Sequence, residues 1–142
     1  VKLFDVNVLV QAFREDSPDH KLFRSVLEEA VNAPGPFGLS RSVLSGFLRV
    51  VTHPKVFKSP TPIEDALAFC DDLVERPNRR WIEPGAKHWK LFRDLCATHR
   101  ADGNLIPDLW FAALAIESSC RWVTGDRDYG AVAGLDLEFV HR

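Results

Sequence analysis

Three stretches of the sequence carry carboxylates at spacings that could do chemistry together. Asp5 closes the short β-rich run VKLFD, with Asn7 two residues on. Asp108 follows Pro107 at the head of the apolar run LWFAALAIE. Asp126 and Asp128 lie in VTGDRDYG, just past an apolar dipeptide. Singly, each acid has a structural explanation, because Gly and Asp are turn residues and an Asp in the first turn of a helix suits its dipole. Brought to one place, they would repel one another by about several kcal/mol per close pair at an effective dielectric of about 20. A cation relieves that repulsion. An oxygen-only donor set suits Mg²⁺ or Mn²⁺, which are held by few carboxylates together with water and substrate phosphate oxygens. The scattered His20, His53, His88, His99 and His141 disfavour zinc. Crowding also implies that, without metal, repulsion holds at least one carboxyl above its ordinary pKa.

The elements that must position these acids read as alternating strands and helices. VKLFDVN opens as a strand and FGLS is a buried strand. RRWIEP, CRWVT and LEFVH supply three more. Ser17 as cap with Pro18 in the first turn starts a helix through KLFRSVLEEAVN, and RSVLSGFLRVV forms another. Thr61, Pro62 and Glu64 read as a capping box before Ile63, Ala66, Leu67, Cys70, Leu73 and Val74 at helical spacing. GAKHWKLFRDLCATHR is a helix with Trp89, Phe92, Leu95 and Cys96 inward, and PDLWFAALAIESS is a last one. With no hairpin signal between strands, this order implies a parallel sheet with helices on both faces. Ligands of such sheets bind outside the carboxyl ends of the strands, where Asp5, Asp126 and Asp128 fall.

Composition narrows the class. At 142 residues and 46% hydrophobic the chain fits one domain with a proper core. A net charge of −2 gives no global attraction to nucleic acid or to a membrane, so such binding needs local clustering. Cys70, Cys96 and Cys120 are odd in number, with no C-x-x-C pair, and read as core residues of a reducing cytoplasm. No run of about 18 apolar residues exists, and the opening residues lack the form of a signal peptide, so no membrane association is expected. Local clustering does occur. Residues 30–63 contain no acid but include Arg41, Arg49, Lys55 and Lys58. Such a span suits a phosphate backbone, or equally a solvated face or a surface for an acidic partner segment.

LFDVNVLV, SRSVLSGFLRVVTHPKVF, GNLIPDLWFAALAIE and WVTGDRDYG, in this order over essentially the whole chain, resemble a PIN domain of the VapC type, the toxin of bacterial toxin-antitoxin pairs. The resemblance implies a three-layer α/β/α sandwich around a central parallel sheet, as one PIN-like domain over residues 1–142. It implies Mg²⁺-dependent endoribonuclease activity, with an acidic centre matched by Asp5, Asp108 and Asp126 as metal ligands. Asp128 is a ligand or water-positioning group, and Asn7 matches the small polar residue beside the first acid. A structured RNA substrate, tRNA or the sarcin-ricin loop of rRNA, is implied too, as are a cognate VapB-type antitoxin and a homodimer. RNA binding then falls to Arg41, Arg49, Lys55 and Lys58. One position departs: many members carry a Glu on the helix matching SVLSGFLR, where this chain has Gly46. Either Asp128 supplies the missing charge, or the site holds metal weakly and the domain binds RNA or protein without catalysis. An Mg²⁺-dependent phosphatase also puts an Asp at the end of its first strand, but needs a second acid where this chain has Asn7.

Overall fold

The computed structural model describes residues 1–142. Five short strands, β1 (Lys2–Phe4), β2 (Phe37–Leu39), β3 (Arg79–Trp81), β4 (Arg121–Thr124) and β5 (Leu137–Phe139), form one sheet in the order β3-β2-β1-β4-β5. Every pairing is parallel, with Leu3 opposite Gly38 and Trp122. Parallel strands need crossovers, and six helices supply them: α1 (Val6–Phe13), α2 (His20–Asn32), α3 (Arg41–Val51), α4 (Ile63–Val74), α5 (His88–Thr98) and α6 (Leu105–Ser118). α1 packs on α2 and α3, and α3 on α4, while α5 pairs with α6; with the sheet between, this is a three-layer α/β/α sandwich. No helix is long and apolar enough to cross a membrane.

The core explains which residues became strands. Leu3, Phe4, Phe37, Leu39, Trp122 and Val123 are all buried, as expected for a sheet covered on both faces. α6 contributes Leu109 and Ala112 to Ala115, and its small residues let it lie close to the sheet. Gly38 sits where a side chain would not fit, since a Cβ there would lie 2.9 Å from Ile82.

Several expected details differ. α2 starts at His20 rather than after Ser17, because Ser17 and Pro18 sit in a turn in which the Ser17 carbonyl accepts from the His20 amide at 3.2 Å. Thr61 does not cap α4; its hydroxyl instead accepts from Arg14 at 3.1 Å. On α4 only Ala66, Cys70 and Leu73 are buried, leaving Ile63 and Leu67 exposed. Trp89 is 65% exposed, and His88 occupies the inward position instead, 3.0 Å from the Trp110 carbonyl.

Candidate active site

The strand order reverses between β1 and β4, and that is where an open parallel sheet leaves a crevice at its carboxyl edge. Asp5 follows β1 and Asp126 follows β4, so the two acids flank the crevice. Asp108, in the first turn of α6, reaches the same place, and all three line one groove of about 450 Å³.

Asp5 is buried and fixed at both oxygens. Its Oδ1 accepts from the Val6 amide at 2.7 Å, capping α1. Its Oδ2 accepts from the Thr124 hydroxyl at 2.7 Å and from Asn7 Nδ2 at 3.1 Å. Thr124 is itself fully buried, and its oxygen also accepts from the Asp126 amide at 3.0 Å. Asn7 Oδ1 accepts from the Gly125 amide at 3.0 Å. One hydroxyl and one amide thus tie the end of β1 to the end of β4. The absence of a side chain at Gly125 leaves room for the Phe23 ring of α2, which a Cβ there would approach to 2.9 Å.

Asp126 is both a turn former and a groove residue: its Oδ1 accepts from the Asp128 amide at 2.9 Å while the side chain borders the groove. Asp128 is exposed and lies outside the groove lining. It acts on the site through its field, as one of the charges that raise Asp108. Tyr129, buried in the short 3-10 helix Arg127–Ala131, donates its hydroxyl to Asp108 Oδ1 at 3.3 Å and packs edge-on to Trp122. Thr124 and Tyr129 were not anticipated as site residues. The signals were faint: Thr124 is the last strand residue before the acids, and Tyr129 is the single tyrosine of the chain.

Burial pushes the Asp5 carboxyl up from 3.8 to about 6, with repulsion from Asp108 and Asp126 adding to it and the Thr124 and Val6 bonds opposing it. Asp108 is likewise raised, first by burial and then by Asp126, with the Tyr129 bond opposing. The expected elevation is present, but desolvation rather than crowding is its main cause. Tyr129 is also raised, by burial and then by the Asp5 and Asp108 charges, so its hydroxyl stays a donor. No three His, Cys, Asp or Glu side chains stand close enough to form a ready-made cage. Spaced, charge-coupled, all-oxygen donors fit a hard cation that keeps much of its water, as Mg²⁺ does, and not a closed zinc site.

Gly46 faces the first acid's helix from α3. A Cβ there would lie 2.9 Å from Val6 Cγ2, so a side chain at this position would require Val6 to shift. The four basic residues divide. Arg41 is engaged, bonded to Glu83 at 2.8 Å and stacked 3.9 Å from the Trp81 ring centre. Arg49, Lys55 and Lys58 are exposed and form no ion pair. The loop holding Lys55 and Lys58 borders the groove through Val56 and Phe57.

A PIN domain family model matches residues 2–135. Ribonuclease VapC43 of Mycobacterium tuberculosis is 43% identical over 125 residues, 88% of this chain and 85% of the relative. Ribonuclease VapC25 of the same organism is 38% identical over 133 residues, 94% of each. Among solved structures, VapBC2 from Rickettsia felis bound to a promoter DNA fragment superposes with a TM-score of 0.72 at 21% identity, covering 99% of this chain and 98% of that one. The sarcin-ricin loop cleaving toxin VapC20 of Mycobacterium tuberculosis gives 0.69 at 12% identity, covering 96% and 98%. At these identities the likeness to the solved structures is one of fold.

Proposed function

The chain belongs to the PIN domain family, in its VapC branch, and from that premise we propose that it is a Mg²⁺-dependent endoribonuclease toxin, held in check by a VapB-type antitoxin. One observation carries this reading: Asp5, Asp108 and Asp126 line a single groove at the switch point of the sheet. In this reading those three carboxylates hold the cation, directly or through water, with Asp128 adding negative potential from the rim. When bound, Mg²⁺ would polarise the scissile phosphate and lower the pKa of a water for in-line attack. The chain's own residues do the positioning. Thr124 and Asn7 fix the Asp5 carboxylate, and Tyr129 fixes Asp108. Arg49, Lys55 and Lys58 draw in the phosphate backbone without reading its sequence, while Arg41 serves the β3 edge through Glu83 and Trp81. The substrate is a structured RNA, tRNA or rRNA, cut where bases are unstacked, and the active form is a cytoplasmic homodimer of this PIN domain.

A second reading, a PIN domain that binds RNA without cutting it, draws support from Gly46, which supplies no carboxylate and where a Cβ would press on Val6. Induced expression with mapping of cellular RNA 5′ ends separates the two. The endonuclease reading expects new ends at one or a few sites, which vanish when the adjacent antitoxin reading frame is co-expressed. RNA ends unchanged by induction of the folded protein would contradict it.

A further inference from the structure

The groove is mixed in character: besides Asp5, Asp108 and Asp126, its lining includes the apolar side chains of Val50, Val56 and Phe57. Val56 is 55% exposed, which leaves its apolar surface in water. It sits in the sequence Lys55-Val56-Phe57-Lys58, so two unpaired cations flank two apolar side chains.

This segment is held rigidly. Arg14, buried at the end of α1, donates to the Ser59 carbonyl at 2.7 Å and to Thr61 Oγ1 at 3.1 Å, and Asp16 fixes its guanidinium from the other side at 2.6 Å. The same guanidinium lies 3.9 Å from the centre of the Phe57 ring. The amides of Val56 and Phe57 both donate to the His53 carbonyl at 3.1 Å. Arg14 therefore covers one side of the Phe57 ring, and Phe57 is among the residues that line the groove.

A ligand matched to these features needs a flat apolar group, a polyanionic backbone for the lysines and a reactive bond within reach of the acids. An unpaired nucleotide of RNA has all three, whereas a base inside a duplex has no free face to stack. Building on the ribonuclease reading, we propose that Val56, Phe57 and Val50 form a nucleobase subsite that seats one unpaired base of the substrate beside the phosphate presented to Asp5, Asp108 and Asp126. This subsite makes the enzyme select single-stranded positions by stacking.

Binding in EDTA tests the subsite apart from cleavage. The probes are a short fluorescein-labelled oligouridine, the same oligomer with abasic residues, and its duplex with oligoadenosine. The wild-type protein should bind the intact strand about tenfold more tightly than the abasic strand or the duplex, in the range of one base stacked on an aromatic ring. Val56→Ser, at an exposed position, and Phe57→Leu, which keeps apolar volume, should erase that preference while leaving abasic binding unchanged. A wild-type protein that cuts RNA with Mg²⁺ yet binds intact and abasic strands equally refutes the subsite and leaves the enzyme reading standing. Base preference without any cleavage retains the subsite and refutes the enzyme reading. Variants that bind RNA normally but lose affinity for the antitoxin would assign Val56 and Phe57 to the protein partner and overturn the proposal.

Discussion

Replacing Asp5 by Asn should make the metal-free protein more stable at neutral pH, although it removes a buried group with three hydrogen bonds. The folded carboxyl titrates at about 6 against an ordinary 3.8, so the folded state binds protons more tightly than the unfolded one. That contribution to stability is fully present below pH 3.8 and is lost as pH rises through about 6. At 1.36 kcal/mol per pH unit the gap is worth about 3 kcal/mol. Asn carries no such titration. It caps α1 as well as Asp does, but its amide nitrogen then stands where Oδ2 was and accepts from neither Thr124 nor Asn7, at a cost of about 1 kcal/mol for each bond. The balance is a gain of about 1 kcal/mol for Asp5→Asn at pH 7 to 8 and a loss of about 2 kcal/mol below about pH 3, with the two stability curves crossing at about pH 5.3. Urea unfolding in EDTA at several pH values measures this directly. Saturating Mg²⁺ should invert the order at neutral pH, since a hundredfold excess over the dissociation constant stabilises only the wild type, by about 2.7 kcal/mol. Parallel curves, with Asp5→Asn the weaker protein at every pH, would make Asp5 a structural cap and not a frustrated site acid.

Tyr129→Phe keeps the ring against Trp122 but removes the bond that holds Asp108 down, so the acidic limb of the pH–rate profile should move to higher pH; an unmoved limb would separate Tyr129 from the site. Arg14→Met leaves the Ser59 carbonyl and Thr61 without their donor, and should cost about 2–4 kcal/mol in urea unfolding while speeding hydrogen exchange at the Val56 and Phe57 amides. Replacing Arg49, Lys55 and Lys58 together by Gln should lower the slope of log affinity for single-stranded RNA against log salt by about 2, at about 0.7 per lost phosphate contact. An unchanged slope would place these side chains outside the RNA path.

The alternation of strands and helices was legible because each strand is a short apolar run between turn signals, and because ligand sites of parallel sheets lie at the carboxyl edge. Asp5 and Asp126 could thus be placed on one edge from sequence alone. Their coupling could not, because it runs through Thr124, a residue whose hydroxyl gains meaning only once β1 and β4 are neighbours. The failed capping box has a similar origin. Thr61 has the right spacing to Glu64, but Arg14, 47 residues away, competes for its hydroxyl and wins by burial. Periodicity likewise put Trp89 inward where the structure buries His88, since helical spacing marks a face without fixing its rotation to within one residue. The basic span was visible as a charge asymmetry, yet Glu83 and Trp81 remove Arg41 from it through contacts across the β2–β3 edge.

The most direct test of the account is RNA cleavage by the purified protein in the presence of Mg²⁺, in EDTA, and after Mg²⁺ is restored, beside Asp108→Asn. A Mg²⁺-dependent nuclease of this kind should give discrete internal cuts in tRNA or rRNA with Mg²⁺, none in EDTA, recovery on adding the ion back, and no cutting by a folded Asp108→Asn protein, because an amide lacks the charge that holds the cation. Cleavage that persists in EDTA, or that Asp108→Asn performs at the wild-type rate, would contradict it.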